Sequence, residues 1–252
     1  MTEKTKWSIS SAGLHIIAMT LMLCDHLWGT LLPAQEWLTC IGRMAFPIFA
    51  FMVVEGYTHT SNLKRYMNRM FIFAVIAEIP FDLMISGIAF YPYHQNVIWT
   101  FWISLFFIKW IEKVKSKLSV SYPLEIGLVF IGFAIGFATM VDYYGVGILT
   151  VLMFYYLKDN HDKKKRWLIR ICQVFCMYIL NVELMGGYCY DVSVFGRLIE
   201  IPQQAIAMFS LIPIWLYHGR QGIHNKAFQY FCYVFYPMHM LILVLIRAWI
   251  LQ

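Results

Sequence analysis

The chain has 252 residues, 60% of them hydrophobic, 18% aromatic and only 13% charged, with a net charge of +6. Soluble domains carry about 45–50% apolar and about 25% charged residues, so a soluble enzyme, a disordered segment and a secreted disulfide mini-domain are excluded. A transmembrane β-barrel is excluded as well, because its strands alternate apolar and polar residues, whereas the apolar residues here come in solid runs.

A helix needs about 20 apolar residues to cross a bilayer. The runs predict nine helices, over residues 14–32, 41–57, 70–88, 97–111, 124–141, 145–157, 169–187, 203–217 and 228–250. The expected fold is all-α, a polytopic membrane bundle of about nine spans (eight to ten) with a cytoplasmic N-terminus. It reads as one integral-membrane domain over residues 1–252, with no internal repeat, linker or cleavable signal peptide. Alternate loops hold 17 of the 20 Lys and Arg: Lys4 and Lys6; Lys64, Arg65 and Arg69; Lys109, Lys113, Lys115 and Lys117; Lys158, Lys163, Lys164, Lys165, Arg166 and Arg170; Arg220 and Lys226. The exceptions are Arg43, Arg197 and Arg247. The positive-inside rule places the rich loops in the cytoplasm. The net charge therefore belongs to the topology, and no nucleic-acid partner is expected. Cys172 and Cys176 lie one turn apart within a span and read as packing groups. Cys40 and Cys189 both fall on the outer side, where they can pair or stay free. No finger or ribbon spacing for a metal is present.

Ionisable residues inside such spans are costly unless they face protein or water, so each is a site hypothesis. In chain order the first is Asp25-His26, about 17–18 Å along the first span at 1.5 Å per residue, just past the midplane. Asp beside His reads as a general base with an orienting carboxylate, or as a structural ion pair. Arg43, at the outer end of the second span, suits an anion or a developing oxyanion, or a salt bridge to Asp25. Glu55 and His59 share a face at the inner end. In the third span Glu78 and Asp82 flank Pro80, whose kink can turn both toward a cavity. Asp142-Tyr143-Tyr144-Gly145 reads as an outer turn, with Asp and Gly in turn roles. Tyr217-His218-Gly219-Arg220-Gln221-Gly222 is a flexible basic turn suited to a phosphate. His239 in the last span, two residues after Pro237, falls at a depth close to that of His26. These residues form an inner basic rim (Arg65, Arg69, His218, Arg220, Lys226) and a deeper cluster (Asp25, His26, Arg43, Glu78, Asp82, His239).

The string GRMAFPIFAFMVVEGYTHTSNLKRYMNRM, then AEIPFDL, the early Asp-His, Asn96, the DYYG turn, YHGRQG and FYPMHM resemble the TraX family in order and spacing along nearly the whole chain. His218 stands where that family usually has Asn. The resemblance implies an integral-membrane acyltransferase of the bacterial cytoplasmic membrane. It would draw an acetyl group from cytosolic acetyl-CoA, with no metal, and pass it to an amine or hydroxyl of a pilin-like peptide, surface glycan or lipid. On that reading His26, oriented by Asp25, is the base, and Arg43 or Asn96 stabilises the oxyanion. His239 holds the leaving group or takes the proton itself. Gly219, Arg220, Gly222, Arg65 and Arg69 bind the donor, while Glu78, Asp82, Asn96 and Asp142 line the acceptor site. Two rival readings remain. One is a proton- or ion-coupled transporter, built on the same midplane carboxylates and histidines. The other is an accessory subunit of a secretion machine.

Overall fold

The computed structural model describes residues 8–158, 162–194, 197–223 and 225–250. Lys4 and Lys6 lie outside the described residues, as do the side chains of Lys163 and Arg197.

Short polar side chains set the helix starts by accepting from otherwise orphaned N–H groups. Ser10 caps α1 (Ser11–Thr30) and Asn62 caps α4 (Leu63–Ile85). Asn96 caps α5 (Val97–Lys117) and Asp162 caps α8 (Lys163–Tyr178). Between them α2 (Glu36–Gly42) gives way at Arg43-Met44 to α3 (Ala45–His59). Pro47 sits in the first turn of α3, where its missing N–H costs no ladder bond. Next come α6 (Tyr122–Ala138) and α7 (Tyr144–Tyr156). The helix α8 widens into a π-helical turn, Ile179–Met185, where the buried Asn181 amide donates to the Met177 carbonyl and competes for that ladder acceptor. A 3-10 helix (Gln203–Ser210) leads into α9 (Leu211–Leu216), and α10 spans Lys226–Ile250.

The chain is mostly helical, as expected, but residues left as a loop between the seventh and eighth runs form a hairpin. Strands β1 (Cys189–Val194) and β2 (Arg197–Pro202) pair antiparallel, with Tyr190 opposite Ile201 and Asp191 opposite Glu200. Its Tyr, Val and Ile residues favour a pleated surface, yet each strand is too short to show against the apolar background. The nine-span count is not established either. Among the described residues four helical stretches are both long and apolar enough to cross a membrane: Ser11–Thr30, Glu36–His59, Lys164–Met185 and Lys226–Ile250. Tyr122–Ala138, Tyr144–Tyr156 and Gln203–Leu216 are apolar but shorter. The long helices α4 and α5 fall outside both groups because charges are built into them: Lys64, Arg65, Arg69, Glu78 and Asp82 in α4, and Lys109, Glu112, Lys113, Lys115 and Lys117 in α5.

The chain divides inside α3 into two compact units, one formed by Met1–Met52 with Gly187–Gln252 and the other by Val53–Gly186. In the first, α1 packs on α2 and α10, and Leu14, Ala18, Ile48 and Met240 are buried. In the second, α5 is the centre, packing on α4, α6 and α7 through Leu105, Ile108 and Ile111. Large apolar side chains remain on the outside, among them Phe130, Leu245 and Trp249. A water-facing surface would not leave so many uncovered.

Candidate functional site

Consecutive residues of an α-helix point about 100° apart, and this separates Asp25 from His26. Asp25 faces α2, where its Oδ1 accepts from the Thr39 hydroxyl at 2.7 Å and forms an ion pair with the Arg43 guanidinium. Arg43 lies one turn after Thr39 and also donates to its hydroxyl at 2.9 Å. The expectation that Asp25 orients His26 is therefore corrected: Asp25 neutralises Arg43, which is an ion-pair partner rather than an isolated cation. Thr39 completes this brace and was missed in the sequence, although its four-residue spacing from Arg43 is a usable signal. Gly42 makes the approach possible, because a Cβ there would stand 2.5 Å from the Asp25 Cβ. Gly42→Ala is expected to cost about 1–3 kcal/mol, the usual penalty for overpacking. Gly29→Ala, with nothing within 4 Å of the new methyl, should not. Paired thermal melts in detergent check this.

His26 turns instead toward α10. Its Nδ1 lies 2.6 Å from the Nε2 of His239, and the two ring planes are within 9° of each other. His239 is buried, and its Nδ1 is 2.7 Å from the Phe235 carbonyl. That carbonyl can only accept, so the His239 Nδ1 carries the proton. While both rings are neutral, the His239 Nε2 must then accept, and His26 donates through Nδ1–H. The relay leaves the Nε2 of His26 as the nitrogen with an open lone pair. His26 is thus held in its orientation and tautomer by a second histidine and a main-chain carbonyl, not by its neighbouring carboxylate. Pro237 stands between Phe235 and His239, and its ring nitrogen can donate no ladder hydrogen bond there.

The second unit holds a separate polar group around α4. Glu78 Oε2 accepts from the indole of Trp99 at 2.8 Å and from the Asn96 amide. The other Asn96 amide hydrogen goes to the Ala74 carbonyl at 2.8 Å, while its Oδ1 caps α5 at the Ile98 N–H. Both amide donors are engaged and Asn96 is fully buried, so the expectation of Asn96 as an oxyanion donor is corrected to that of an anchor for Glu78. Asp82 Oδ2 accepts from the Tyr91 N–H at 2.8 Å. Glu78 Oε1 and Asp82 Oδ1 are buried without a hydrogen-bond partner, which leaves two open acceptor positions on one helix face. Asp142 holds the turn, accepting from the Tyr143 N–H and from the Thr100 hydroxyl, the latter at its carbonyl. The left-handed positions there fall on Met140, Tyr143 and Tyr144 rather than on Gly145. Gly145 instead lets α7 pass close to Gly136 of α6.

His94, another residue missed in the sequence, lies 3.3 Å from Asp142 in the loop before α5. The hydrogen bond to Asp142 holds its imidazole pKa above the ordinary 6.5, against partial burial, which acts the other way. A folded-state pKa above the unfolded one stabilises at low pH, and the contribution disappears as pH rises through the folded value. Asp142→Asn keeps the acceptor for the Tyr143 N–H and removes the charge. Wild type is expected to exceed Asp142→Asn in melting temperature below pH 6.5 and to lose that margin on alkaline titration.

At the other end of the first unit, residues 217–222 wrap the start of α1. Ser11 and Ala12 donate to the Arg220 and Gln221 carbonyls, and Arg220 donates to the Ser8 hydroxyl at 3.0 Å. Gly219 and Gly222 have φ of +74° and +72°, and a Cβ on Gly222 would stand 2.5 Å from the Ser10 hydroxyl. His218, Arg220 and Lys226 are exposed here, as are Arg65 and Arg69 on α4 of the other unit. Glu55 and His59 pair with each other at 3.4 Å. Cys40 lies against the Tyr190 hydroxyl at 3.3 Å and is free, as is Cys189. No group that could hold a metal is found among the described residues.

A family model described as TraX protein matches residues 10–247. Among curated proteins, a probable fimbrial assembly protein, FimC of serogroup H1 of Dichelobacter nodosus, is 28% identical over 248 residues, 93% of this chain and 94% of the relative. Protein TraX of Escherichia coli is 23% identical over 168 residues, 66% of this chain and 63% of the relative. No solved structure matches the chain.

Proposed function

The chain belongs to the TraX family, and from that premise we propose an integral-membrane acyltransferase. It moves an acetyl group from cytosolic acetyl-CoA to an amine or hydroxyl of a membrane-associated or extracytoplasmic acceptor. The enzyme is multi-pass in the cytoplasmic membrane, with the basic loops inside. The relative named for fimbrial assembly favours a pilin-like peptide as acceptor, with surface glycans and lipids as the other classes.

The observation that carries this reading is the relay from the Phe235 carbonyl through His239 to His26. The His26 Nε2 takes a proton from the acceptor as its nitrogen or oxygen attacks the thioester carbonyl. The carbon–sulfur bond then breaks, the new carbon–nitrogen or carbon–oxygen bond remains, and the proton passes to the departing thiolate. Within the second unit, considered by itself, Glu78 Oε1 and Asp82 Oδ1 are open acceptor positions suited to an N–H or O–H donor.

The donor phosphates bind at the exposed Arg220 turn. It touches the first residues of α1, and His26 lies fifteen residues further on, about 22 Å along the axis. A long, extended acyl-bearing arm is the kind of donor that bridges such a distance. Saturable acetyl-CoA binding by the purified protein in detergent tests the proposal, since a carrier or an accessory subunit gives no such signal. Arg220→Ala is expected to weaken that binding by about tenfold, the value of a charge-assisted contact, with the fold intact. Arg220→Lys should partly restore it, because a phosphate accepts a point charge. Calorimetry reads both, and unchanged affinity would move the phosphates to Arg65 and Arg69.

A further inference from the structure

In the second unit the end of α5, the start of α6 and the end of α7 line an open cavity of about 580 Å³ that none of the roles above uses. Its polar floor is Lys115, Ser121, Glu125 and Tyr156, and its wall is Tyr122, Ile126 and Val129. Glu125 is almost fully buried. It accepts from the Ser121 hydroxyl at 2.5 Å, from the Tyr156 hydroxyl at 2.8 Å and from the Lys115 ammonium at 3.3 Å. Lys115 also lies over the Tyr156 ring, 4.4 Å from its centroid. A buried carboxylate with two hydroxyl donors is a fixed point, and here it holds an ammonium in place. That ammonium has three donor hydrogens, and the Lys115 side chain as a whole is 38% exposed, so it retains capacity for an external anion.

The surroundings say which anion. Beyond Glu125 the helix α6 carries no charged residue up to Ala138, and Ile126 and Phe130 are 56% and 69% exposed. An apolar strip thus continues directly from the cavity wall. Lys109, Lys113 and Lys117 sit on the same end of α5, which makes this end attractive to anionic headgroups. A soluble phosphate compound would leave the strip uncovered, whereas a lipid uses both parts.

We propose that this cavity binds the phosphate of a membrane phospholipid through Lys115, with one acyl chain laid along the exposed face of α6. Glu125 and Tyr156 act as positioning residues that hold Lys115 toward the ligand.

The test is native mass spectrometry of the full chain in detergent, titrated with phosphatidylglycerol at high ionic strength so that diffuse surface attraction is screened. One lipid per chain is expected to be retained. Lys115→Gln should weaken retention by about tenfold or more, as loss of a charge-assisted contact does. Lys113→Gln, on the same helix end but outside the cavity lining, should not. Val129→Trp adds bulk at the apolar wall while Lys115 and Glu125 both remain, so it tests the site even where Lys115→Gln fails to fold. It too should weaken retention by about tenfold or more. Diacylglycerol with the same chains should bind poorly, and neither inorganic phosphate nor acetyl-CoA should displace the phospholipid. Equal losses in Lys113→Gln and Lys115→Gln, indifference to Val129→Trp, or displacement by either soluble compound would each overturn the assignment.

Discussion

His26→Ala is expected to lower acetyl transfer by about 10²- to 10⁴-fold, the range for losing a positioned acid–base group, while acetyl-CoA binding survives. The two effects separate because the proposed base and the proposed donor turn are at opposite ends of α1: Arg220 meets Ser11 at the start, and His26 lies four residues before the end of the helix. The ring is half-buried against α10, so its loss also removes some packing. Melting temperature measured alongside keeps that contribution distinct from chemistry. Product formation and donor affinity on the same preparation decide the matter. Near-normal turnover in a folded His26→Ala protein would remove the base from the first helix altogether.

His239→Ala comes next in size. His239 is buried behind His26, so on the proposed mechanism it positions the base rather than meeting the reacting atoms. Removing it frees the His26 ring to rotate and to hold its proton on the wrong nitrogen. A loss of about 10²- to 10³-fold is expected, toward the lower part of the range for the base itself. His239→Gln keeps a side-chain acceptor for the His26 Nδ1–H and should recover part of the activity, whereas a purely packing role would be rescued equally well by Met. Asp25→Asn gives the contrast. It breaks the ion pair to Arg43 but leaves the His26 relay untouched, so it should lower stability while the folded protein keeps most of its turnover. A loss of turnover in Asp25→Asn as large as in His26→Ala would return Asp25 to the catalytic unit. Parallel assays and melts of His26→Ala, Asp25→Asn and the three His239 variants (Ala, Gln and Met) distinguish these outcomes.

Much of this protein was legible in one dimension. The apolar runs located the helical stretches, because burying or lipid-covering so many Phe, Leu and Ile residues leaves few alternatives. The rarity of charge inside them singled out Asp25, His26, Arg43, Glu78, Asp82 and His239. Counting residues along two helices of the same direction placed His26 and His239 at similar depths, and the structure brings them together. The family followed from strings that run almost the length of the chain.

Tertiary structure alone decided which of these residues act on one another. Adjacent positions suggested Asp25 and His26 as a pair, yet the helical twist sends one to α2 and the other to α10. Asn96 appeared as a free amide, yet folding engages both of its donors and its oxygen. Thr39 had only its four-residue spacing from Arg43 to mark it and His94 had no motif, and both acquired their roles when Asp25 and Asp142 arrived beside them. The hairpin Cys189–Pro202 was invisible because strand pairing is a relation between two short segments, not a property of either. Composition and periodicity report how a residue relates to solvent and lipid, and that information is local. Hydrogen-bond partners are set by which helix faces meet, and the packing of the whole chain determines those faces.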